Sequence, residues 1–236
     1  MNYFEIITKL KNCSNPKSIE EMARFGINPK YALGVNIPTL RKTAKEIKKS
    51  PEYKNRPEKL HKLAQQLWNS RIHEVRILAS MIDVPELVSE KQMDNWIKEF
   101  NSWDLCDEVC MNLFDKTEVA YHKAVEWSKR KSEFEKRSGF ALMACLVWHD
   151  KKAPDSKFIN FFPYIKKAST DERNFVRKAV NWALRQIGKR SLSLREESKK
   201  LAKDILKSYP NSKSAKWIAN DAIRELSRET VKKRLE

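Results

Sequence analysis

Glycine is almost missing from this chain, with four among 236 residues. A sandwich or barrel of short strands draws on turn glycines throughout, and a phosphate-cradling nucleotide loop concentrates several in one segment, so neither is expected. Long apolar runs are also missing: no stretch approaches the roughly 20 residues that a membrane span requires. The start, Met1-Asn2-Tyr3-Phe4-Glu5, lacks the basic head and apolar core of a secretory leader. Cysteine is sparse, and Cys13, Cys106, Cys110 and Cys145 show no paired spacing of the zinc or redox kind. A reduced, cytoplasmic protein with structural cysteines is expected. His61, His73, His122 and His149 are scattered, without metal-ligand spacing, so neither a metal nor a cofactor is expected and the histidines take surface or core roles.

What the chain has in excess is positive charge. Lys and Arg number 48 against 31 Asp and Glu, a formal charge of +17. Such an excess repels itself unless a polyanion neutralises it, which makes nucleic acid the leading partner. Leu, Ala, Lys, Glu and Ile dominate the rest and favour helix.

Apolar residues recur at helical spacing over 3–12, 18–25, 38–49, 57–69, 72–83, 90–100, 103–114, 117–130, 133–148, 155–167, 172–188, 192–208 and 213–233. Proline or the residue before it marks breaks at Asn15-Pro16, Asn28-Pro29, Ile37-Pro38, Ser50-Pro51, Arg56-Pro57, Val84-Pro85, Ala153-Pro154 and Tyr209-Pro210. Short connections between such helices imply antiparallel pairs stacked side by side: an all-α superhelix, or α-solenoid, in one domain over residues 1–236 with a concave basic face. Three segments carry an Arg followed by small apolar residues, around Arg76, Arg137 and Arg177, and each resembles the second helix of a HEAT-type repeat. Their separations of 61 and 40 residues make the repeat degenerate.

Three constellations could carry chemistry. In Asn101-Ser102-Trp103-Asp104-Leu105-Cys106-Asp107, Asn101 or Ser102 can cap a helix and Asp104 complements its dipole. Trp103 and Asp107, four apart, share a face. Either Trp103 is core and Asp107 pairs with a neighbouring lysine, or an indole and a carboxylate stand together in a site. In Lys178-Ala179-Val180-Asn181-Trp182-Ala183-Leu184-Arg185, Arg177, Arg185 and Lys189 form a basic stripe on the helix carrying Trp182, suited to gripping phosphates or to a solvated edge over a core indole. Arg137, in Phe134-Glu135-Lys136-Arg137-Ser138-Gly139, can bridge to a neighbouring repeat or hold a phosphate. On stacked second helices these groups could converge on the concave face.

At these residues the chain resembles the AlkD-like DNA alkylation repair family, the HEAT-like-repeat alkylpurine DNA glycosylases. The matching segments are Met22-Ala23-Arg24-Phe25, Leu33-Gly34-Val35-Asn36-Ile37-Pro38-Thr39-Leu40-Arg41, Leu67-Trp68, Ser102-Trp103-Asp104-Leu105-Cys106-Asp107, Arg137 and Phe175-Val176-Arg177-Lys178-Ala179-Val180-Asn181-Trp182-Ala183-Leu184-Arg185. They span roughly residues 20 to 190. The resemblance implies a monofunctional glycosylase that removes cationic alkylated purines, such as N3-methyladenine and N7-methylguanine, from double-stranded DNA without flipping the base, and without a cofactor. It implies that Asp107, Trp103 and Trp182 are catalytic and that Arg137, Arg185, Arg177, Lys189, Phe25 and Arg41 contact DNA. Phe25 stands where the family often has a tyrosine, and Ser102 where a second adjacent tryptophan can occur. Beyond residue 190 the Lys-rich helices, including Lys199-Lys200 and Lys232-Lys233-Arg234, match no motif and read as a cap or an extension of the DNA track. One DNA groove needs no second copy, so a monomer is expected. The rival expectation is a non-catalytic HEAT-like protein that binds distorted or branched DNA; a scaffold for an acidic protein or for RNA is a second.

Overall fold

Side-chain oxygens start many of the helices. Asn2 caps α1 (Tyr3–Asn12) in a reciprocal box with Glu5, and Asn15 and Asn36 cap α2 (Pro16–Arg24) and α3 (Ile37–Lys49), each with proline in the first turn. Ser89, Ser191 and Ser212 do the same for α6 (Glu90–Lys98), α13 (Leu192–Ser208) and α14 (Lys213–Leu226). Between and after these lie α4 (Pro57–Trp68), α5 (His73–Ile82), α7 (Trp103–Asn112), α8 (Ala120–Trp127), α9 (Glu133–His149), α10 (Asp155–Ile159), α11 (Phe162–Ala168), α12 (Asn174–Gly188) and α15 (Glu229–Lys232). The computed structural model describes residues 1–235, among which there is no strand. No helix among them is long and apolar enough to cross a membrane.

The all-α expectation is met, with local differences. The segment expected as one helix over 155–167 is two, α10 and α11, because Pro163 has no N–H to donate to the carbonyl four residues back. The last helix stops at Leu226 and restarts at Glu229. Short 3-10 turns at Pro85–Leu87 and Phe114–Lys116 fill two connections.

The chain divides into two compact units, Met1–Glu118 and Val119–Glu236. In the first, α5 packs on α3, α4 and α7 and is buried on every side from His73 to Ser80. Its core includes Trp68, whose ring stacks on Trp96 at 3.8 Å between centroids and 2° between planes. The Arg76 guanidinium lies 4.8 Å from the Trp68 ring and pairs with Glu99.

In the second unit, α9 plays the part of α5 and is buried from Arg137 to Val147. It packs on α8 and α12; α12 packs in turn on α13 and α14, and α13 on α14. Pairs α8/α9, α11/α12 and α13/α14 thus succeed one another with their second helices in contact, the stacking expected of a helical repeat. Gly139 allows the closest approach: a Cβ there would lie 2.4 Å from the Ser128 backbone nitrogen and 2.8 Å from the Ala124 carbonyl oxygen of α8. Arg190 seals the end of α9. Its guanidinium donates to the carbonyls of Val147, Asp150, Lys151 and Ala153, pairs with Asp155 and covers the Phe158 ring at 4.4 Å.

Candidate nucleic-acid interface

In the first unit the site residues gather on α7 and on the loop between α2 and α3. Ser102 occupies the N-cap position in extended conformation, without a capping hydrogen bond from its side chain. Asp104 lies in the first turn, where the helix dipole favours it. It does more than the dipole requires: its Oδ2 is 2.7 Å from Nε2 of His73, a residue 4% exposed. Burial pulls the His73 pKa down, but the bond to Asp104 and the charges of Asp104 and Glu74 outweigh it and hold the imidazole above its ordinary value. Burial pushes Asp104 up, and His73 overcomes this to hold it below the usual carboxylate range.

Trp103 and Asp107 follow on this anchored helix, one turn apart and both half-buried. The Trp103 Nε1–H donates to the Phe25 carbonyl at 3.0 Å, which fixes the edge of the indole and ties α7 to the loop after α2. Phe25 itself projects outward, 73% exposed. Arg41 is exposed on α3. The loop is held from its far side by Glu74. That carboxylate, 2% exposed, accepts the N–H groups of Leu33 at 2.8 Å and Gly34 at 2.6 Å. Gly34 has φ +73°, and a Cβ there would stand 2.2 Å from the Asn15 carbonyl oxygen.

In the second unit, α12 presents Arg177, Trp182, Arg185 and Lys189, all partly exposed. The stripe expected to grip phosphates already has partners on α14. Arg185 pairs with Glu225 and lies 3.6 Å from Asp221, while Lys189 is 2.9 Å from Glu225. Burial pushes Glu225 up, but Lys189 and Arg185 outweigh it and hold its pKa low. Arg177 sits 5.3 Å from the Trp217 ring. Arg137 is 5% exposed, and its Nη1 donates at 2.6 Å to the Phe175 carbonyl of α12. Of the two uses open to it, this structure displays the bridge between repeats. The rings of Phe134 and Phe175 stack at 5.5 Å beside that bridge.

The residues that sequence reasoning missed are those that hold the site. His73 lies 31 positions from Asp104 and Glu74 lies 40 from Gly34. Asp221 and Glu225 sit on a helix that matched no motif. One signal was available for Glu74: a carboxylate inside an otherwise apolar segment, which must find donors when buried. No group of three or more His, Cys, Asp or Glu among the described residues is placed to share a metal ion.

Helix pairs stacked through their second helices, on a chain of formal charge +17, define a basic helical-repeat protein. The sequence pattern of the family described as DNA alkylation repair enzyme matches residues 6–226, and the chain belongs to that family. A solved structure described as a new family related to the HEAT-like repeat DNA glycosylases, with affinity for branched DNA structures, superimposes with a TM-score of 0.74 at 19% identity. The match covers 86% of this chain and 83% of that one, and it establishes the HEAT-like helical-repeat fold. No curated protein matches the chain.

Proposed function

We propose that this chain is a glycosylase that hydrolyses the N-glycosidic bond of cationic alkylated purines in double-stranded DNA, with Asp107 as the catalytic carboxylate. The observation that carries the reading is the pairing on α7: a half-buried Asp107 one turn from a half-buried Trp103 whose indole edge is fixed by the Phe25 carbonyl. Asp104 anchors the amino terminus of α7 through His73, and Asp107 stands one turn beyond Trp103 on the helix so anchored.

The chemistry asks little more of the protein. An N3- or N7-alkylated purine already carries positive charge, so the bond electrons pass to the base without a proton donor. The deoxyribose becomes an oxocarbenium-like cation, which a nearby carboxylate stabilises, and water then attacks C1′ and gives up a proton. The Trp103 ring favours a cationic nucleotide over a neutral one, and Trp182 offers a second half-exposed indole to DNA. Arg41 supplies a contact to phosphate, and Arg177, Arg185 and Lys189 supply more once phosphates displace their partners on α14; such contacts give affinity without sequence preference. Loss of one electrostatic stabiliser of this kind costs about a hundredfold or more in rate. Asp107→Asn is therefore expected to bind methylated duplex as the wild type does and to release N7-methylguanine and N3-methyladenine at least about a hundredfold more slowly at equal DNA occupancy.

A second reading, a non-catalytic protein for branched DNA, draws support from the branched-DNA affinity of the structurally similar family and from the internal pairing of Arg185 and Lys189. Tight binding of a four-way junction together with no base release by the wild type would establish it in place of the first.

A further inference from the structure

The loop between α2 and α3 carries two large aromatic side chains that stand in solvent. Phe25 is 73% exposed and Tyr31 58% exposed. A loop that merely connects two helices has no reason to hold large rings in water, least of all at a position where the backbone resists them. Tyr31 has φ +69°, in the left-handed region that a bulky residue enters only under constraint. Gly26 and Gly34 of the same loop also have positive φ and meet that demand with glycine. At 31 the chain accepts the strain and keeps the ring.

The constraint is visible. The Tyr31 carbonyl accepts the His73 N–H at 3.1 Å, the Phe25 carbonyl accepts Trp103 Nε1–H at 3.0 Å, and the buried Glu74 carboxylate takes the N–H groups of Leu33 and Gly34. The Asn28 side chain accepts the Lys30 N–H within the loop. The two rings are thus presented on a segment fixed at four points to α5 and α7. Arg24, Lys30 and Arg71 are exposed beside them in sequence or through the His73 contact, and the Lys30 ammonium lies 5.1 Å from the Tyr31 ring centre.

Exposed rings on an anchored backbone, flanked by cations on a basic chain, match one ligand chemistry. Aromatic faces stack on nucleobases of any sequence while the cations take the neighbouring phosphates. A base inside an intact duplex is covered on both faces by its neighbours and offers nothing to stack on; an unpaired base does. We propose that Phe25 and Tyr31 form a stacking element for unpaired nucleobases, so that this chain prefers DNA in which a base has lost its partner. The proposal rests on the DNA-binding part of the reading above and is independent of catalysis by Asp107.

The test uses an unmethylated duplex with one bulged 2-aminopurine, a fluorescent base that dims when an aromatic ring stacks on it, and the same duplex fully paired. Wild type is expected to bind the bulged duplex about tenfold more tightly than the paired one and to quench the probe. Tyr31→Asn removes the ring while keeping a residue that accepts the left-handed conformation; it is expected to lose the quench and bring the two affinities within about twofold, with binding to paired duplex unchanged. Should Tyr31→Asn melt early, Tyr31→Gly, which also accepts the positive φ, gives the same readout. A preference and quench that survive both substitutions, or a wild type that binds the two duplexes equally, overturns the proposal alone. A wild type that binds neither overturns it together with the DNA-binding reading. Absence of base release touches neither result, because the probe holds no alkylated base.

Discussion

Replacing Glu74 with glutamine changes one atom and should loosen the loop that frames the candidate site. In the wild type both carboxylate oxygens accept backbone N–H groups, from Leu33 at 2.8 Å and Gly34 at 2.6 Å, in a site where Glu74 is 2% exposed. Glutamine keeps one carbonyl oxygen for one of these donors. Its NH2 group meets the other, so a buried N–H is left without an acceptor at a cost of about 1–3 kcal/mol, and the surviving bond falls from charged to neutral, about 1 kcal/mol more. Relief of the buried charge offsets part of this. The net loss is about 1–3 kcal/mol, which for a chain of this size lowers the Tm by roughly 2 to 12 °C. Thermal unfolding by circular dichroism reads the shift, and hydrogen exchange at Leu33 and Gly34 localises it. A Tm within about 1 °C of wild type, with unchanged exchange at those amides, would refute the claim that Glu74 holds the loop.

Four further outcomes follow from other contacts. Arg190→Lys keeps the charge but loses the fork that gathers four carbonyls at and beyond the end of α9, and should cost about 1–3 kcal/mol in denaturant unfolding. Gly139→Ala forces a methyl into the α8 backbone and should destabilise despite alanine's better helix propensity, a sign that a simple melt decides. For the His73–Asp104 pair, the raised His73 value makes its stabilisation full below pH 6.5 and lost as pH rises through the folded value; the lowered Asp104 value makes its share full above pH 3.8 and lost only on acidification. His73→Asn should therefore cost most between these limits and least at high pH, as melts across that range will show. Glu225→Gln releases Arg185 and Lys189 from their carboxylate, and should tighten duplex binding and steepen the salt dependence by about one phosphate contact, measured by titration at several salt concentrations.

The sequence made the helices legible because few glycines and regular apolar spacing leave little else for the chain to form. It misjudged 155–167, where Pro163 sits in mid-pattern and periodicity outvoted it. The pair Trp103 and Asp107 was readable because both lie on one helix, four residues apart. The pairing of α12 with α14 was not, since Arg185 and Glu225 are 40 residues apart and a stripe of cations looks the same in sequence whether it faces solvent or a carboxylate. Arg137 shows the same limit: its two possible uses differ only in what lies opposite, here the carbonyl of Phe175. The strained Tyr31 left no trace, because backbone conformation at a single non-glycine residue has no signature in composition or period.

Single-turnover release of N7-methylguanine from methylated duplex, with wild-type protein in excess over DNA, measures the proposed cleavage of glycosidic bonds most directly. A rate that rises with protein concentration to a plateau well above spontaneous depurination is the expected result; release no faster than in buffer, from DNA shown to be fully bound, would contradict it.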